Sequence, residues 1–295
     1  ERDPEQICKL ARESLASTGY EELSLLSLNI GHYRFLNETV SCLMEELAPN
    51  FTALSLPSLR PGSIDPQILK EIERVRKTGF TLAPEAGTER LRNAINKRVS
   101  DEELLRDIRE IVDQGWASIK LYFMIGLPTE LEEDLEGIVA LCYKIIETTR
   151  RIKGYLKNIT VSVSSFVPKP HTPFQWVGQN EPGELKRKQE FLRKRLRHPK
   201  ITVKFHQREL SLLEAVMSRG DRRLSRVIYE AWRLGCRFDG WTEFFDYSKW
   251  EHAFARSHLS PGFFAHRNYR RDEILPWSPL NLQVDPDFLW NQYEK

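Results

Sequence analysis

Residues 119–135 read IKLYFMIGLPTELEEDL, and this stretch decides the fold class of the chain. Its first seven residues, 119–125, form a largely apolar run of strand length, which ends in a turn at Gly126 and Pro128. From residue 131 to residue 149 the apolar residues recur with the spacing of an amphipathic helix. A buried strand followed by a loop and a helix is the repeating unit of a parallel sheet.

The same alternation of strand and helix extends in both directions from this unit. Asp65 with Pro66, and Ser100 with Glu103, are signals for the start of a helix. No hairpin signal separates the strands, so the pattern predicts an α/β fold with a parallel sheet. The further helices are predicted at 3–18, 35–47, 65–77 and 100–114, and the further strands at 23–28, 52–56, 80–83 and 159–166.

The length and the texture of the chain predict two regions. At roughly 150 residues per domain, 295 residues suit two domains or one barrel with an extension. Residues 1–200 carry the alternation, whereas residues 201–295 hold helical patterns and an aromatic-rich stretch after the short apolar run ITVKF. We therefore predict a β/α region at 1–200 and a smaller, mainly helical C-terminal extension at 201–295.

The composition excludes several classes of protein. Hydrophobic residues make up 40% of the chain and charged residues 29%, which suits a folded core rather than a disordered polymer. The net charge of +2 does not require a nucleic acid or a membrane as partner, and no apolar run is long enough to span a bilayer. The four cysteines are far apart and lack the close C-x2-C spacing of a metal loop. The composition predicts a cytoplasmic protein.

Three ordered segments carry a family resemblance, namely TLAPEAGTERLRNAINK (81–97), IKLYFMIGLPTELEEDL (119–135) and SVSSFVPKPHTPFQW (162–176). Together they resemble the radical S-adenosylmethionine (SAM) enzymes, in the branch that contains the Elongator, MiaB and NifB proteins. The later segments LLEAVMSRGDRRLSRVIYEAW (212–232) and RFDGW (237–241) resemble an uncharacterised bacterial subgroup of that branch, which is often associated with cobalamin-binding domains.

The resemblance implies a partial six-stranded (β/α) barrel of the TIM type, a [4Fe-4S] cluster and SAM. Reductive cleavage of SAM would give a 5′-deoxyadenosyl radical that abstracts hydrogen from an unidentified substrate. The first barrel strand of the family and its C-x3-C-x2-C cluster loop have no counterpart in this sequence. We therefore expect a catalytic-core fragment of an Fe-S oxidoreductase that is inactive without the cluster cysteines. Cobalamin, a second domain or a partner polypeptide would be compatible with this expectation.

The resemblance also assigns residues to the cofactor. Glu85 would accept hydrogen bonds from the ribose hydroxyls, because a carboxylate offers two oxygens to two neighbouring hydroxyls. Lys120 would pair with the methionyl carboxylate, while Gly126 and Pro128 shape a loop whose backbone would meet the adenine. Each has an alternative structural role: Glu85 as a helix-entry residue, Lys120 as a solvated strand residue, and the other two as turn residues.

The remaining assignments are to the methionyl amine and to the substrate. Asn29 and Gly31 belong to the segment SLNIGHY (27–33), which would bind the amine, and Arg60 is a further basic candidate. His171 follows the last strand, where it would face the substrate or serve as a structural histidine. No catalytic residue and no metal ligand is assigned within the chain.

Two other interpretations are open to the sequence. A glycosidase would use Glu85 and Glu130 as its carboxylate pair, but nothing else indicates sugar chemistry, and Glu130 is interpreted as the acid that starts the following helix. A cluster-less pseudoenzyme would use the barrel to bind RNA or a protein. The basic run ELKRKQEFLRKRLRHPK (184–200) would then contact phosphates, although its apolar positions are also typical of a solvated helix at a barrel edge.

Overall fold

The computed structural model describes residues 1–27, 30–56, 62, 65–76, 79–150, 152 and 155–295. Asn29 and Arg60, two of the predicted cofactor contacts, lie outside the described residues. The strands of the described chain are β1 (Glu22–Ser24), β2 (Ala53–Ser55), β3 (Phe80–Glu85), β4 (Ser118–Ile125), β5 (Asn158–Ser165) and β6 (Ile201–Phe205). Its α-helices are α1 (Pro4–Thr18), α2 (Leu36–Leu47), α3 (Pro66–Glu73), α4 (Glu89–Ala94), α5 (Asp101–Asp113), α6 (Glu132–Thr149), α7 (Pro182–Arg195), α8 (Arg208–Arg219), α9 (Leu224–Arg233), α10 (Tyr247–Arg256), α11 (Pro261–Ala265) and α12 (Pro286–Glu294).

The helix starts agree with the local signals of the sequence. The Asp65 carboxylate accepts a hydrogen bond from the backbone N–H of Gln67 at 2.8 Å, and Pro66 is the first residue of α3. Ser100 forms the predicted capping box at the start of α5. The end of α3 was predicted too late, at residue 77, whereas the helix ends at Glu73, because its last buried apolar residue is Ile72.

The described strands form two separate sheets. β1 and β2 pair in parallel, and β3, β4, β5 and β6 form a four-stranded sheet in that order, in which β3 and β4 are also parallel. An α/β fold with parallel strands is therefore confirmed, while closure of these strands into a partial barrel stays a prediction. β6, which sequence analysis placed in the C-terminal extension, is an edge strand of the larger sheet.

The larger sheet has one buried face and one partly exposed face. Along β4 and β5 buried residues alternate with exposed or half-buried ones, as the period of two in a strand requires. The buried set is aliphatic or aromatic, as shown by Leu121, Phe123, Ile159 and Val161, none of which has any exposed surface. The other face carries polar residues, including Lys120.

The described residues divide into two compact units that interleave in sequence. Unit 1 comprises Glu1–Phe123, Leu131–Val163 and Arg193–Lys204, and unit 2 comprises Met124–Glu130, Ser164–Leu192 and Phe205–Lys295. In unit 1, α1 packs against α2, α2 against α3, and α5 against α6. The boundary predicted at residue 200 stays a prediction. No helix among the described residues combines the length and the apolar character needed to cross a membrane.

Unit 2 contains a helical core in which α8 packs against α11 and α9 against α10. Arg219, at the end of α8, is fully buried there and donates hydrogen bonds to the carbonyl oxygens of Phe264 and Ala265 at 2.8 and 2.7 Å. Burial lowers the pKa of the Arg219 guanidinium to about 10. This arginine of the SRGDRRL segment therefore holds the end of α11 and is not part of a basic surface.

Candidate functional site

Strand β3 ends in a bulge. Leu82 lies opposite Leu121 and Glu85 lies opposite Phe123. From the first pair to the second, β3 therefore takes three residues where β4 takes two. Pro84 falls within this interval and cannot donate to the hydrogen-bond ladder. Bulges are frequent beside active sites because they re-aim a side chain.

The bulge turns Glu85 away from the buried face of the sheet. Residues that lie opposite each other in a regular ladder share a face, yet Phe123 is fully buried while the Glu85 side chain is 25% exposed. The backbone of Glu85 has a φ of 70°, which is a left-handed conformation that few residues other than glycine adopt. Such conformations persist where the surrounding structure enforces them, and they cluster at functional sites.

The carboxylate of Glu85 is held by a hydrogen bond and is partly accessible to solvent. Its Oε1 atom accepts a hydrogen bond from Nζ of Lys97 at 3.2 Å, and the Lys97 side chain is 24% exposed. The N-cap of α4 is Thr88, whose hydroxyl accepts from the backbone N–H of Leu91 at 3.3 Å. Thr88 therefore fills the helix-entry role that was the structural alternative for Glu85.

A buried arginine anchors the loop behind Glu85. Arg92 has no exposed surface, and its guanidinium donates to the carbonyl oxygen of Ala86 at 3.0 Å and to that of Val99 at 2.7 Å. It also forms an ion pair with Asp101 at the start of α5. Sequence analysis did not find this residue, because an arginine in a short helix gives no signal of burial.

A second anchor comes from the first turn of α6. The Asp134 side chain is 2% exposed and accepts hydrogen bonds from the Thr88 hydroxyl and the Arg90 guanidinium. It also accepts the backbone N–H of Leu131 at 2.7 Å. Asp134 thus ties the segment after Glu85 to the next helix. Sequence analysis missed it because its partners Thr88 and Arg90 lie more than forty residues away.

Two glycines let this loop and α6 touch backbone to backbone. A Cβ atom on Gly87 would lie 2.1 Å from the carbonyl oxygen of Asp134 and 2.3 Å from the nitrogen of Ile138. A Cβ atom on Gly137 would lie 2.8 Å from the carbonyl group of Gly87. No side chain fits at either position, so the contact fixes the loop that follows Glu85.

The structure does not bring Lys120 next to Glu85. Lys120 lies opposite Thr81 and Glu85 lies opposite Phe123, so the two residues are separated by three residues of β4, which is about 10 Å along a strand. Its Nζ atom donates to the hydroxyl of Tyr122 at 2.5 Å and lies 4.4 Å from the centre of that ring. Its contact with a methionyl carboxylate stays a prediction.

The loop of Gly126 and Pro128 lies in unit 2 and is built around a buried ion pair. Glu130 accepts the N–H of Gly126 at 3.0 Å on each carboxylate oxygen, and its side chain is 2% exposed. Nζ of Lys188 lies 2.6 Å from Glu130 and 2.8 Å from the side-chain oxygen of Asn180. Glu130 therefore does not serve as the first-turn acid of α6, as the sequence was interpreted, because α6 begins at Glu132.

Two more predicted residues are described. Gly31 lies in a single 3-10 turn, Ile30–His32, and borders a cavity of about 370 Å³ in unit 1. His171 lies in unit 2 with a left-handed φ of 56°, and its backbone N–H donates to the side-chain oxygen of Gln175 at 3.0 Å. Their contacts with cofactor or substrate stay predictions.

The cysteines do not form a metal site in the described part of the chain. No group of three or more His, Cys, Asp or Glu side chains is arranged there to hold a metal ion. Sγ of Cys8 lies 2.7 Å from Sγ of Cys42. Burial and, to a lesser degree, the neighbouring Cys42 raise the pKa of the Cys8 thiol to about 12. Burial likewise raises the pKa of Cys142 to about 12. These thiols are thus poor sources of the thiolates that a cluster needs.

Comparison with known proteins gives distant relatives. No family model matches the chain. The chain is 28% identical over 227 residues to an uncharacterized protein of Methanocaldococcus jannaschii, which covers 77% of this chain and 48% of that protein. It is 27% identical over 156 residues to the tRNA-2-methylthio-N(6)-dimethylallyladenosine synthase of Bacillus subtilis, over 50% of this chain and 30% of that enzyme.

The corresponding synthase of Azobacteroides pseudotrichonymphae is 25% identical over 179 residues, which are 57% of this chain and 39% of that enzyme. The chain thus spans about half or less of the length of these relatives. The two synthases support a relation to the radical SAM superfamily and to enzymes, at the level of that superfamily and no finer.

Proposed function

We propose that residues 1–295 form the SAM-binding core of a radical SAM enzyme, built on a partial barrel. The observation that carries the proposal is Glu85, a carboxylate at the carboxyl end of a parallel strand, held out of the buried face by a bulge. Ligands of parallel α/β folds bind at this end of the strands. The distant similarity to two methylthio-adenosine synthases supports the same function.

The carboxylate of Glu85 is an acceptor that suits the hydroxyls of the SAM ribose. Glu85 would accept the two ribose hydroxyls, and Lys97 orients its carboxylate while balancing the charge. When bound and reductively cleaved, SAM supplies a 5′-deoxyadenosyl radical that abstracts hydrogen from the substrate. Arg92 and Asp134 position the loop that follows Glu85 through their hydrogen bonds to it, and we assign them no contact with the cofactor.

The other assignments are proposed on the resemblance alone. Lys120 would pair with the methionyl carboxylate, and the loop of Gly126 and Pro128 would meet the adenine. Asn29 and Gly31 would bind the methionyl amine. Arg60 would add a basic group, and His171 would contact the substrate.

The described residues do not fit a [4Fe-4S] cluster, as the burial of Cys8 and Cys142 and the missing group of ligands indicate. The proposal therefore places the cluster ligands in a segment or polypeptide other than residues 1–295. Membership of the uncharacterised subgroup and the use of cobalamin remain further parts of the proposal.

The test is spectroscopic and uses the whole gene product that contains these residues. After anaerobic purification and reconstitution with iron and sulfide, about four irons per chain and a reduced-state EPR signal are expected. Addition of SAM should perturb that signal. A gene product that binds no cluster would refute the enzyme proposal.

A matched pair of variants assigns the effect to the site. Glu85→Gln should keep the iron content but weaken the affinity for SAM. We expect the SAM concentration that gives half of the EPR change to rise by about 10- to 100-fold, which corresponds to the loss of charge-assisted hydrogen bonds. Glu147→Gln is the control, because Glu147 is an exposed carboxylate in the last turns of α6. Equal SAM affinity of both variants would exclude Glu85 from the cofactor site.

The described residues contain no group of three or more side chains that could hold a metal ion. This observation also favours a second candidate, a cluster-less module that binds RNA or a protein. The basic helix α7 offers less free charge for RNA than its sequence indicated. Arg187 pairs with Glu184 at 2.8 Å, and Lys188 is buried against Glu130. The iron content of the gene product decides between the two candidates.

A further inference from the structure

Helix α9 in unit 2 is buried on one face only and carries aromatic side chains on the other. Leu224, Val227 and Ala231 are buried in the helical core of the unit. On the outer side, Tyr229 and Trp232 are each more than half exposed, and their rings stack with centres 5.8 Å apart. The outer face of a surface helix is normally polar, so an aromatic pair in this position is unusual.

The aromatic surface continues into the loop that follows α9. Phe238, Trp241 and Phe244 are also more than half exposed, and the ring centres of Phe238 and Phe244 lie 6.0 Å apart. The Arg237 guanidinium lies 5.0 Å from the centre of the Trp232 ring and donates to the carbonyl oxygen of Trp232 at 2.8 Å, which joins the loop to the helix. Single exposed apolar residues are ordinary, whereas a continuous patch marks an interaction surface. The aromatic patch consists of Tyr229, Trp232, Phe238, Trp241 and Phe244.

Unpaired arginines lie beside the aromatic patch. Arg222 immediately precedes α9, Arg226 lies on its outer side, and both are exposed. The carboxylate of Asp221, the neighbour of Arg222 in the chain, is paired with Arg223 at 2.7 Å. Neither Arg222 nor Arg226 has an ion pair within the part of the chain that the structure describes. These two cations are therefore available to an anionic partner.

The acidic residues of the loop limit how deeply the patch can be buried. Asp239 accepts the indole N–H of Trp250 at 3.0 Å, and Asp246 caps α10, so both have a role within the fold. Glu243 is exposed between Trp241 and Phe244 in the chain. Its carboxylate has to stay in water, which suits a shallow contact at a polar boundary rather than a fully apolar interface.

The surface of an anionic bilayer has the matching profile. Tryptophan and tyrosine favour the boundary between headgroups and hydrocarbon, and helices with aromatic and basic residues lie along that boundary. Ile228, one helical turn before Trp232, is also exposed. An aliphatic side chain offers no ring for a base to stack on, so a lipid surface suits this face of α9 better than RNA.

We propose that the aromatic patch binds the surface of an anionic lipid bilayer, with Arg222 and Arg226 at the lipid phosphates and α9 along the membrane plane. Such a contact is peripheral and needs no membrane-spanning helix. The net charge of +2 gave no sign of it, because the arginines are concentrated locally. The proposal concerns unit 2 alone and does not rest on the proposed function, since its test needs neither cluster nor SAM.

The test is flotation of the whole gene product with two kinds of vesicle, one of phosphatidylcholine and one of phosphatidylcholine mixed equally with phosphatidylglycerol. We expect saturable binding to the mixed vesicles and binding to the neutral vesicles that is about 30-fold weaker, since each of two arginines contributes about fivefold at an anionic surface. The double variant Arg222→Gln/Arg226→Gln should lose this preference. The control Arg109→Gln/Arg197→Gln removes two exposed arginines of unit 1 and should keep it.

Trp241→Ser tests the aromatic part of the patch and leaves the arginines in place. Because the Trp241 side chain is exposed, the Tm should stay at the wild-type value, while binding to the mixed vesicles should weaken by about tenfold through the loss of buried apolar area. Tyr20→Ser, which removes an exposed ring in unit 1, is the control and should bind like the wild type.

Four results would overturn the proposal. The wild type could bind neither vesicle or bind both equally, the control pair could lose as much affinity as Arg222→Gln/Arg226→Gln, or Trp241→Ser could bind like the wild type. A wild type that binds single-stranded poly(U) but neither vesicle would assign the patch to RNA instead.

Discussion

Gly87→Ala is the most direct test of the contact that holds the Glu85 loop. The new methyl group would lie 2.1 Å from the carbonyl oxygen of Asp134, whereas ordinary contacts of a Cβ atom begin at 3.4 Å, so the overlap is 1.3 Å. The contacted atoms belong to the backbone of α6 and cannot rotate away, so the loop or the helix has to move. Overpacking of this kind costs about 1–3 kcal/mol, and we expect the upper end.

At about 2–4 °C per kcal/mol, 3 kcal/mol should lower the Tm of Gly87→Ala by about 6–12 °C in thermal unfolding followed by circular dichroism. The control is Gly183→Ala in α7, where no atom other than those of its chain neighbours and its own helix backbone lies within 4 Å of the added methyl group. Alanine favours a helix over glycine, so the Tm of the control should stay or rise slightly. If Gly87→Ala unfolds at the wild-type temperature, the backbone contact is wrong.

Three further predictions concern other parts of the described chain. Lys188→Met leaves the Glu130 carboxylate buried without its cation and should cost about 3–5 kcal/mol in urea unfolding; a variant as stable as the wild type would contradict the buried pair. Cys8 and Cys42, with sulfur atoms 2.7 Å apart, should form a disulfide with diamide and lower the four titratable thiols to two; four remaining thiols would refute the contact. Burial raises the pKa of Asp107 above its ordinary 3.8, so the folded protein holds this proton more tightly, and the resulting stability is full below pH 3.8 and lost as the pH rises through the folded pKa. Asp107→Asn should therefore gain stability relative to the wild type as the pH rises, and a difference that is independent of pH would contradict the sign.

The sequence predicted what depends on neighbours along the chain. The caps at Asp65 and Ser100 are confirmed, because a cap involves residues only two or three positions apart. β4 was predicted to within one residue, since a buried strand shows itself by its own apolar run.

The sequence could not predict contacts between distant segments. Cys8 and Cys42 lie 34 residues apart in the sequence, and they meet because α1 packs on α2. Glu130 was interpreted from its place before a helix, but its partner Lys188 lies 58 residues further on. The bulge in β3 likewise needs the register of β4, although Pro84 is a local hint of it.

A glycine variant of Glu85 distinguishes most clearly between a structural and a functional role of this residue. A left-handed residue that is not glycine costs about 1–3 kcal/mol, and the partly exposed pair with Lys97 returns about 1 kcal/mol at most. Glycine would relieve the strain at an entropic cost of about 0.5–1 kcal/mol, so Glu85→Gly should unfold at the wild-type urea midpoint or above it. If glutamate is retained there for its carboxylate, the same variant should lose the SAM-dependent EPR change while the iron content of the gene product stays the same. A Glu85→Gly variant that unfolds at a clearly lower urea concentration would mean that the carboxylate stabilises the fold, and the case for a ribose contact would fall with it.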